Sequence, residues 1–245
     1  MQPVLSIQGY SKSYGDATTK AVDNLNLEVM AGEIFGFIGH NGAGKTTTLR
    51  AIAGVLSFEE GDIFVDGHSV KTDAIAAKSI TAYIPDNPDM YEFMTGIAYL
   101  NLLADLYSID KPTREARIAL YAGKFDFVAN LGSPISSYSH GMKQKLALIS
   151  AFMREPRLLI LDEPFVGLDP VASHTLKGML AELCAAGGCV FFSTHVLEVA
   201  EKLCHRIAII KAGQLVVHGR TEEVVGSSSL VDIFLEQAQE GGAQA

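Results

Sequence analysis

The sequence predicts an α/β fold in which a core of buried strands is interrupted by a helical insertion. Three observations predict it. Continuously apolar runs, Ile34-Phe35-Gly36-Phe37-Ile38, Leu158-Leu159-Ile160-Leu161 and Cys189-Val190-Phe191-Phe192, have the composition of strands buried on both faces. Segments compatible with helices follow them, at Thr48–Ala53, Pro170–Cys184 and His195–Leu203. Between about residues 95 and 153 no convincing strand occurs, and apolar residues recur at helical spacing instead.

The composition sets the class. At 245 residues the chain can bury a sizeable core, as one large domain or as a domain carrying an inserted subdomain. It is 48% hydrophobic and 19% charged, which describes a globular protein and not a disordered one. A net charge of −9 with no Lys/Arg cluster argues against a surface built to coat nucleic acid, and no such partner is expected. The longest apolar run free of charge, Leu183 to Leu197, contains Gly187-Gly188 and Ser193-Thr194-His195 and is too short and polar to span a bilayer. Met1-Gln2-Pro3-Val4 lacks the basic and apolar regions of a secretion signal. Cys184, Cys189 and Cys204 are odd in number and form no C-x-x-C pair, so they read as reduced packing thiols in the cytoplasm. The seven histidines show no metal-ligand spacing.

Taken in order, residues 4–10 and 21–29 alternate well enough for two strands, joined through the polar turn Ser13-Tyr14-Gly15-Asp16. Strand 34–38 and its helix come next, then a short strand within Gly61–Gly67, bracketed by turn residues. A helix at Ala74–Lys78 precedes a buried strand at 80–84, which Pro85 and Pro88 stop, leaving Asp86 and Asn87 in a loop. Thr95 is an N-cap for a helix carrying Tyr99, Leu102, Leu103 and Leu106, and Pro112-Thr113 begins a second helix running to about Lys124. A third runs from about Gly141 to Met153. After strands 158–162 and 189–193, segments 207–211 and 215–218 flank Ala212-Gly213 as a hairpin. Two short helices around Val224-Val225 and Leu230–Leu235 end the pattern, and residues 239–245 read as a frayed tail.

The stretch that organises the chain is Gly39-His40-Asn41-Gly42-Ala43-Gly44-Lys45-Thr46-Thr47. It lies between an apolar strand and a helix, the setting a phosphate-binding glycine loop requires. Glycines let successive backbone N–H groups curl around an anion, and the following helix points its positive end at it. Lys45 is placed to reach β- and γ-phosphate oxygens and the Thr46 hydroxyl to ligate Mg²⁺. Asp162, ending an apolar strand, is positioned to hold Mg²⁺ directly or through water. Glu163 follows it and suits the role of accepting a proton from, or orienting, an attacking water. Two exposed acids at a strand end would look the same. In Tyr138-Ser139-His140-Gly141-Met142-Lys143-Gln144, Ser139 caps a helix and Gly141 permits close backbone approach to a ligand, so this is either a second phosphate contact or simply a capped helix. Tyr14 is either a platform for a nucleotide base or an ordinary packing tyrosine.

Together these motifs resemble, over essentially the whole chain, the nucleotide-binding subunit of an ATP-binding-cassette (ABC) transporter. They fall in family order: Tyr14 as the A-loop aromatic, Gly39–Thr47 as Walker A, Ser139–Gln144 as the signature region, Leu158–Asp162 as Walker B, Glu163 as the catalytic glutamate, Gly167-Leu168-Asp169 as the D-loop and His195 as the switch histidine. The resemblance implies a P-loop NTPase (RecA-like) core with an N-terminal antiparallel β subdomain and an inserted α-helical subdomain. Residues 1–86 and 154–220 would form the core and β subdomain, 87–153 the helical part, and 221–245 short helices and a tail. It also implies ATP and Mg²⁺ as ligands and a head-to-tail pair with a second such ATPase subunit, identical or related. Each ATP would then lie between one subunit's Walker A and the other's Ser139 and Gly141. His195 would contact the γ-phosphate and help Glu163 hold the water, and Asp169 would carry information across the interface. A separate polytopic membrane permease would complete the transporter, with this chain peripheral on the cytoplasmic face of the membrane. The wording around Tyr83-Ile84-Pro85-Asp86 and Tyr138–Lys145 resembles bacterial exporters of the ABC-2 and Ecs-like type.

Two departures from the family pattern stand out. The signature, usually Leu-Ser-Gly-Gly-Gln, reads Tyr138-Ser139-His140-Gly141-Met142, and the loop after Pro85 offers Asp86 where the family has a glutamine that contacts Mg²⁺. Asp86 is either a metal contact or a loop acid facing solvent, with Asn87 supplying the amide. Met90-Tyr91-Glu92-Phe93-Met94, apolar for a loop, either borders the groove that receives the membrane subunit or covers the helical part. A competing function is a soluble non-transport cassette, for example an iron–sulfur assembly factor. A cassette that binds ATP without hydrolysing it is disfavoured by the presence of Lys45, Asp162, Glu163 and His195 together.

Overall fold

The computed structural model describes residues 2–15 and 19–240, so Asp16 and residues 241–245 lie outside the described residues. Two sheets form the frame. The larger, in the order β10-β9-β3-β8-β7-β6, contains β3 (Ile34–Ile38), β6 (Thr81–Ile84), β7 (Leu158–Asp162), β8 (Cys189–Thr194) and β9 (Arg206–Lys211), all parallel to their neighbours, with β10 (Gln214–Arg220) antiparallel on the edge. The smaller is antiparallel, in the order β2-β1-β4-β5, from β1 (Leu5–Lys12), β2 (Val22–Val29), β4 (Glu60–Val65) and the two-residue β5 (His68–Ser69).

The apolar runs are explained by what covers the larger sheet. Ile34, Leu159, Leu161, Val190, Phe192, Ile207 and Ile209 face one buried cluster, and Phe35, Phe37, Leu158, Ile160, Phe191, Ala208 and Ile210 face another. Because side chains alternate across a strand, a strand covered on both faces must be apolar at every position. The first cluster is roofed by helices, including α5 (His140–Phe152), α6 (Pro170–Ala185) and α7 (Leu197–Leu203). The second is closed by α1 (Lys45–Ile52), α2 (Ala74–Ser79) and the antiparallel sheet. Phe35 and Phe191, on adjacent parallel strands, stack with ring centroids 5.6 Å apart.

Between β6 and β7 the described chain is helical: α3 (Gly96–Leu106), α4 (Lys111–Lys124), two short 3₁₀ turns and α5. Each of the three helices starts at a residue whose side chain accepts a backbone N–H: Thr95 from Ala98, Asp110 from Thr113, and Ser139 from Met142. The hairpin β9–β10 turns through Ala212 (φ 47°) and Gly213 (φ 80°), the left-handed pair that a tight two-residue hairpin requires. Two helices, α8 (Thr221–Val225) and α9 (Leu230–Glu240), close the described chain. None of the described helices is long and apolar enough to cross a membrane.

Two local expectations change, and at Met90 one of two open readings is met. His195 does not open a helix: α7 begins at Leu197, because the His195 ring and backbone are held by Glu163 and Val196 N–H donates to Thr194 Oγ1. The helix after the glycine loop begins at Lys45, before Thr48. Met90 is 9% exposed and belongs to the helical core cluster, so in that loop only Tyr91 (55% exposed) and Phe93 (84%) present large apolar surface.

Candidate active site

The glycine loop leaves the C-terminal end of β3 and is pinned from behind. A Cβ on Gly39 would lie 2.5 Å from Ile210 O, and one on Gly44, at φ 108°, 2.6 Å from Ala21 O. Both positions therefore demand glycine through close backbone approach, and Gly44 also through its left-handed conformation. Ala43 is buried, its N–H donates to His40 O at 3.1 Å, and its carbonyl accepts from Gly213 N at 3.0 Å. Gly39 and Ala43 accordingly do not line the cavity in front of the loop. The backbone of both is engaged in holding the loop, with Gly39 O accepting from Lys45 and Ala43 bonded to His40 and Gly213.

That cavity, of about 330 Å³, is lined by Ala21, His40, Asn41, Gly42, Gly44, Lys45, Thr46, Thr47, Asp86, Asp162 and Glu163. Lys45 is buried (7% exposed) and donates to Gly39 O at 2.6 Å and His40 O at 3.2 Å. Burial lowers its pKa, and the charges of Glu163 and Asp162 oppose that shift. Thr46 Oγ1 donates to Asp162 Oδ2 at 2.8 Å, and Ser193 Oγ donates to Asp162 Oδ1. Asp162, 3% exposed, thus has both oxygens accepting from hydroxyls. Nothing in the motif pattern singled out Ser193; the only signal was a serine closing an otherwise apolar strand.

Glu163 sits one residue beyond β7 with φ 49°, a left-handed conformation uncommon outside glycine. Its N–H donates to Ser193 O at 3.1 Å, which fixes the turn. His195 Nδ1 lies 2.8 Å from Glu163 Oε1, and because a carboxylate only accepts, the ring nitrogen donates. The site therefore brings together Lys45, Thr46, Asp86, Asp162, Glu163 and, through Glu163, His195. Tyr14 is half exposed, and its hydroxyl is 3.2 Å from Thr47 Oγ1, so its ring stands beside the end of the loop without lining the cavity.

Ser139, Gly141 and Asp169 do not line this cavity. Ser139 caps α5. A Cβ on Gly141 would meet Gly167 O at 2.5 Å, so in this chain the glycine is required by the Gly167 backbone. Asp169 caps α6 through Ala172 N at 2.8 Å and pairs with Lys145 Nζ at 2.9 Å. Both of its oxygens are engaged within the chain.

The residues fit a triphosphate with a divalent cation. Backbone approach leaves no room for side chains at Gly39 and Gly44, a buried ammonium faces the cavity, and the oxygen set of Thr46, Asp162 and Asp86 has the hard donors that Mg²⁺ takes. Among the described residues no group of three or more His, Cys, Asp or Glu side chains could by itself hold a metal ion. That fits Mg²⁺ bound through one or two carboxylates plus phosphate oxygens.

A glycine loop between a parallel strand and a helix, backed by a strand-end carboxylate, defines an α/β nucleotide hydrolase of the P-loop class. Residues 22–166 match the family model described as ABC transporter. The chain is 34% identical to the ABC-type transporter ATP-binding protein EcsA of Bacillus subtilis, with 97% of each chain covered. It is 31% identical to the Nod factor export ATP-binding protein I of Cupriavidus metallidurans, covering 95% of this chain and 76% of the relative. A solved ATP-binding subunit of an ABC transporter superposes with a TM-score of 0.90 at 32% identity, covering 95% of this chain and 98% of that one. The chain belongs to the ABC transporter family as an ATP-binding subunit, an ATPase coupled to transport.

Proposed function

We propose that this subunit binds ATP with Mg²⁺ at the Gly39–Thr47 loop and hydrolyses it as one half of a head-to-tail pair, driving a separate membrane permease in the export direction. The observation that carries the reading is the Glu163 carboxylate, held by His195 on the wall of the cavity that Lys45 and Thr46 also line. In this reading Lys45 shares its protons between the loop carbonyls and the β- and γ-phosphate oxygens. Thr46 and Asp162 hold Mg²⁺, and Asp86 offers a further oxygen. The cation, when bound, neutralises charge on the phosphate oxygens. Glu163 takes a proton from water, and His195, donating through Nδ1, fixes the carboxylate's orientation. The exposed ring of Tyr14 supplies a stacking face for the base.

The pairing is supported by what the cavity lacks. Ser139 caps α5, and neither it nor Gly141 lines their own chain's cavity, which leaves these residues free to serve the nucleotide of a second subunit in this reading. A γ-phosphate shared between two subunits holds them together, and its loss removes the shared contacts. Export is supported by the likeness to the Nod factor export ATP-binding protein, and service to a membrane transporter by the likeness to EcsA, an ABC-type transporter ATP-binding protein. The exposed Tyr91 and Phe93 offer an apolar surface for the permease.

Glu163→Gln tests the reading. Hydrolysis should fall by about a hundredfold or more, while ATP binding persists and ATP-dependent dimers accumulate in size-exclusion chromatography. Wild-type turnover in the variant, or a monomer with and without ATP, would overturn it.

A further inference from the structure

The C-terminal helix α9 reaches the nucleotide loop. The Phe234 ring lies against the His40 ring, with centroids 4.3 Å apart and planes inclined by 46°. His40 is the loop residue whose carbonyl accepts from Lys45 Nζ at 3.2 Å and from Ala43 N at 3.1 Å. A side chain on α9 therefore buttresses the residue whose backbone positions the phosphate-facing lysine. One turn earlier, at its first residue, α9 is hooked to α7: Leu230 N donates to Glu201 Oε2 at 2.8 Å, and Leu230 is fully buried. The helix start is further fixed by reciprocal bonds, Ser229 N to Asp232 Oδ2 and Asp232 N to Ser229 Oγ. α7 begins two residues after His195, the partner of Glu163. Within its first two turns α9 thus touches the phosphate loop, through Phe234, and the element following His195, through Leu230.

We propose that Phe234 is a positioning residue for ATP binding, and that α9 braces the Gly39–Thr47 loop against the segment that carries His195. The proposal rests on the reading that this loop binds ATP. Phe234 touches no reacting atom; it acts through His40. Without its ring, the His40 ring loses its support, the loop gains conformations in which Lys45 points away from the cavity, and nucleotide must select the competent ones.

The test uses the full chain with a fluorescent ATP analogue and steady-state ATPase kinetics. Phe234→Ala should weaken analogue binding and raise the KM for ATP by roughly two- to tenfold, the worth of one aromatic contact, while kcat changes by less than about twofold. Phe234→Tyr, which keeps the ring, should restore both values to wild type. Glu201→Ala, which unhooks the start of α9 one turn before Phe234, should weaken binding in the same direction. Lys45→Ala is the control for the underlying reading. If Lys45→Ala loses binding but Phe234→Ala binds as wild type, α9 does not position the loop. If Lys45→Ala itself binds as wild type, the assignment of the loop fails instead. A general loss of folded protein in Phe234→Ala would lower kcat with KM unchanged, and that outcome would also overturn the proposal.

Discussion

Ser193 offers the sharpest test of how the Asp162 and Glu163 carboxylates are held. It is fully buried, its hydroxyl donates to Asp162 Oδ1, and its backbone carbonyl accepts from Glu163 N at 3.1 Å. Ser193→Ala removes the hydroxyl and keeps the carbonyl and the strand pairing with Asp162. Asp162 is 3% exposed, so water cannot freely replace the lost donor, and Thr46 Oγ1 on Oδ2 remains its only hydroxyl partner. A hydrogen bond to a charged group contributes about 1.5–3 kcal/mol, and a buried acceptor left unmet costs a similar amount. The variant should therefore lose about 2 kcal/mol. For a chain of this length that corresponds to a fall in Tm of roughly 4–8 °C. Urea or thermal unfolding of the full chain without nucleotide measures it, and a second background isolates the cause. In Asp162→Asn the acceptor no longer carries charge, so adding Ser193→Ala should cost much less than it does alone. An equal cost in both backgrounds, or no cost in either, would refute the argument that this hydroxyl stabilises the buried carboxylate.

Other outcomes follow from the same geometry. The N–H of Ala172, with Lys145 adding to it, holds the Asp169 carboxyl below its ordinary value of 3.8. A carboxylate whose pKa is depressed by folding stabilises the fold above its unfolded pKa, and that contribution fades as pH falls through the folded value. Asp169→Asn should accordingly be less stable than wild type at pH 7, with the gap closing below about pH 4; a gap that widens on acidification would contradict the assignment. Asp86→Asn should raise the Mg²⁺ concentration for half-maximal ATPase activity by about tenfold, and superimposable Mg²⁺ curves would remove Asp86 from the metal site.

The buried strands were legible in the sequence because burial on both faces leaves a composition that no surface element shares. Helix starts at Thr95, Ser139 and Pro170 were legible because each rests on a local capping or proline signal. The failures have a common physical origin in contacts distant in sequence. His195 looks like the start of a helix because an amphipathic segment follows it, but its ring is recruited by Glu163 across the sheet. For the loop at Met90 the sequence left docking surface and cover of the helical part both open, because only contacts distant in sequence show that Met90 folds onto the helical core. Ser193 and Phe234 carry no motif at all. Their roles come from the parallel pairing of β7 with β8 and from where the last helix packs.

The altered signature shows how a departure from a family pattern is absorbed. A histidine at position 140 needs space that the usual glycine does not. The space comes from Gly167, where a Cβ would meet His140 Cδ2 at 2.5 Å and whose φ is 79°. Gly141 in turn has room only because nothing but hydrogen stands on its Cα opposite Gly167 O. The turn that opens α5 and the loop between Glu163 and Asp169 are therefore packed backbone against backbone, with Lys145 and Asp169 closing the contact at its far end. The near end of that loop is Glu163 itself, held in a left-handed conformation by Ser193 and His195. Glu163 is thus joined to the start of α5 through a short loop held at both ends. In the proposed head-to-tail pair that start of α5 would face the other subunit's nucleotide, and the Glu163 carboxylate of one site and the Ser139 offered to the other would then be linked by contiguous packing within a single chain.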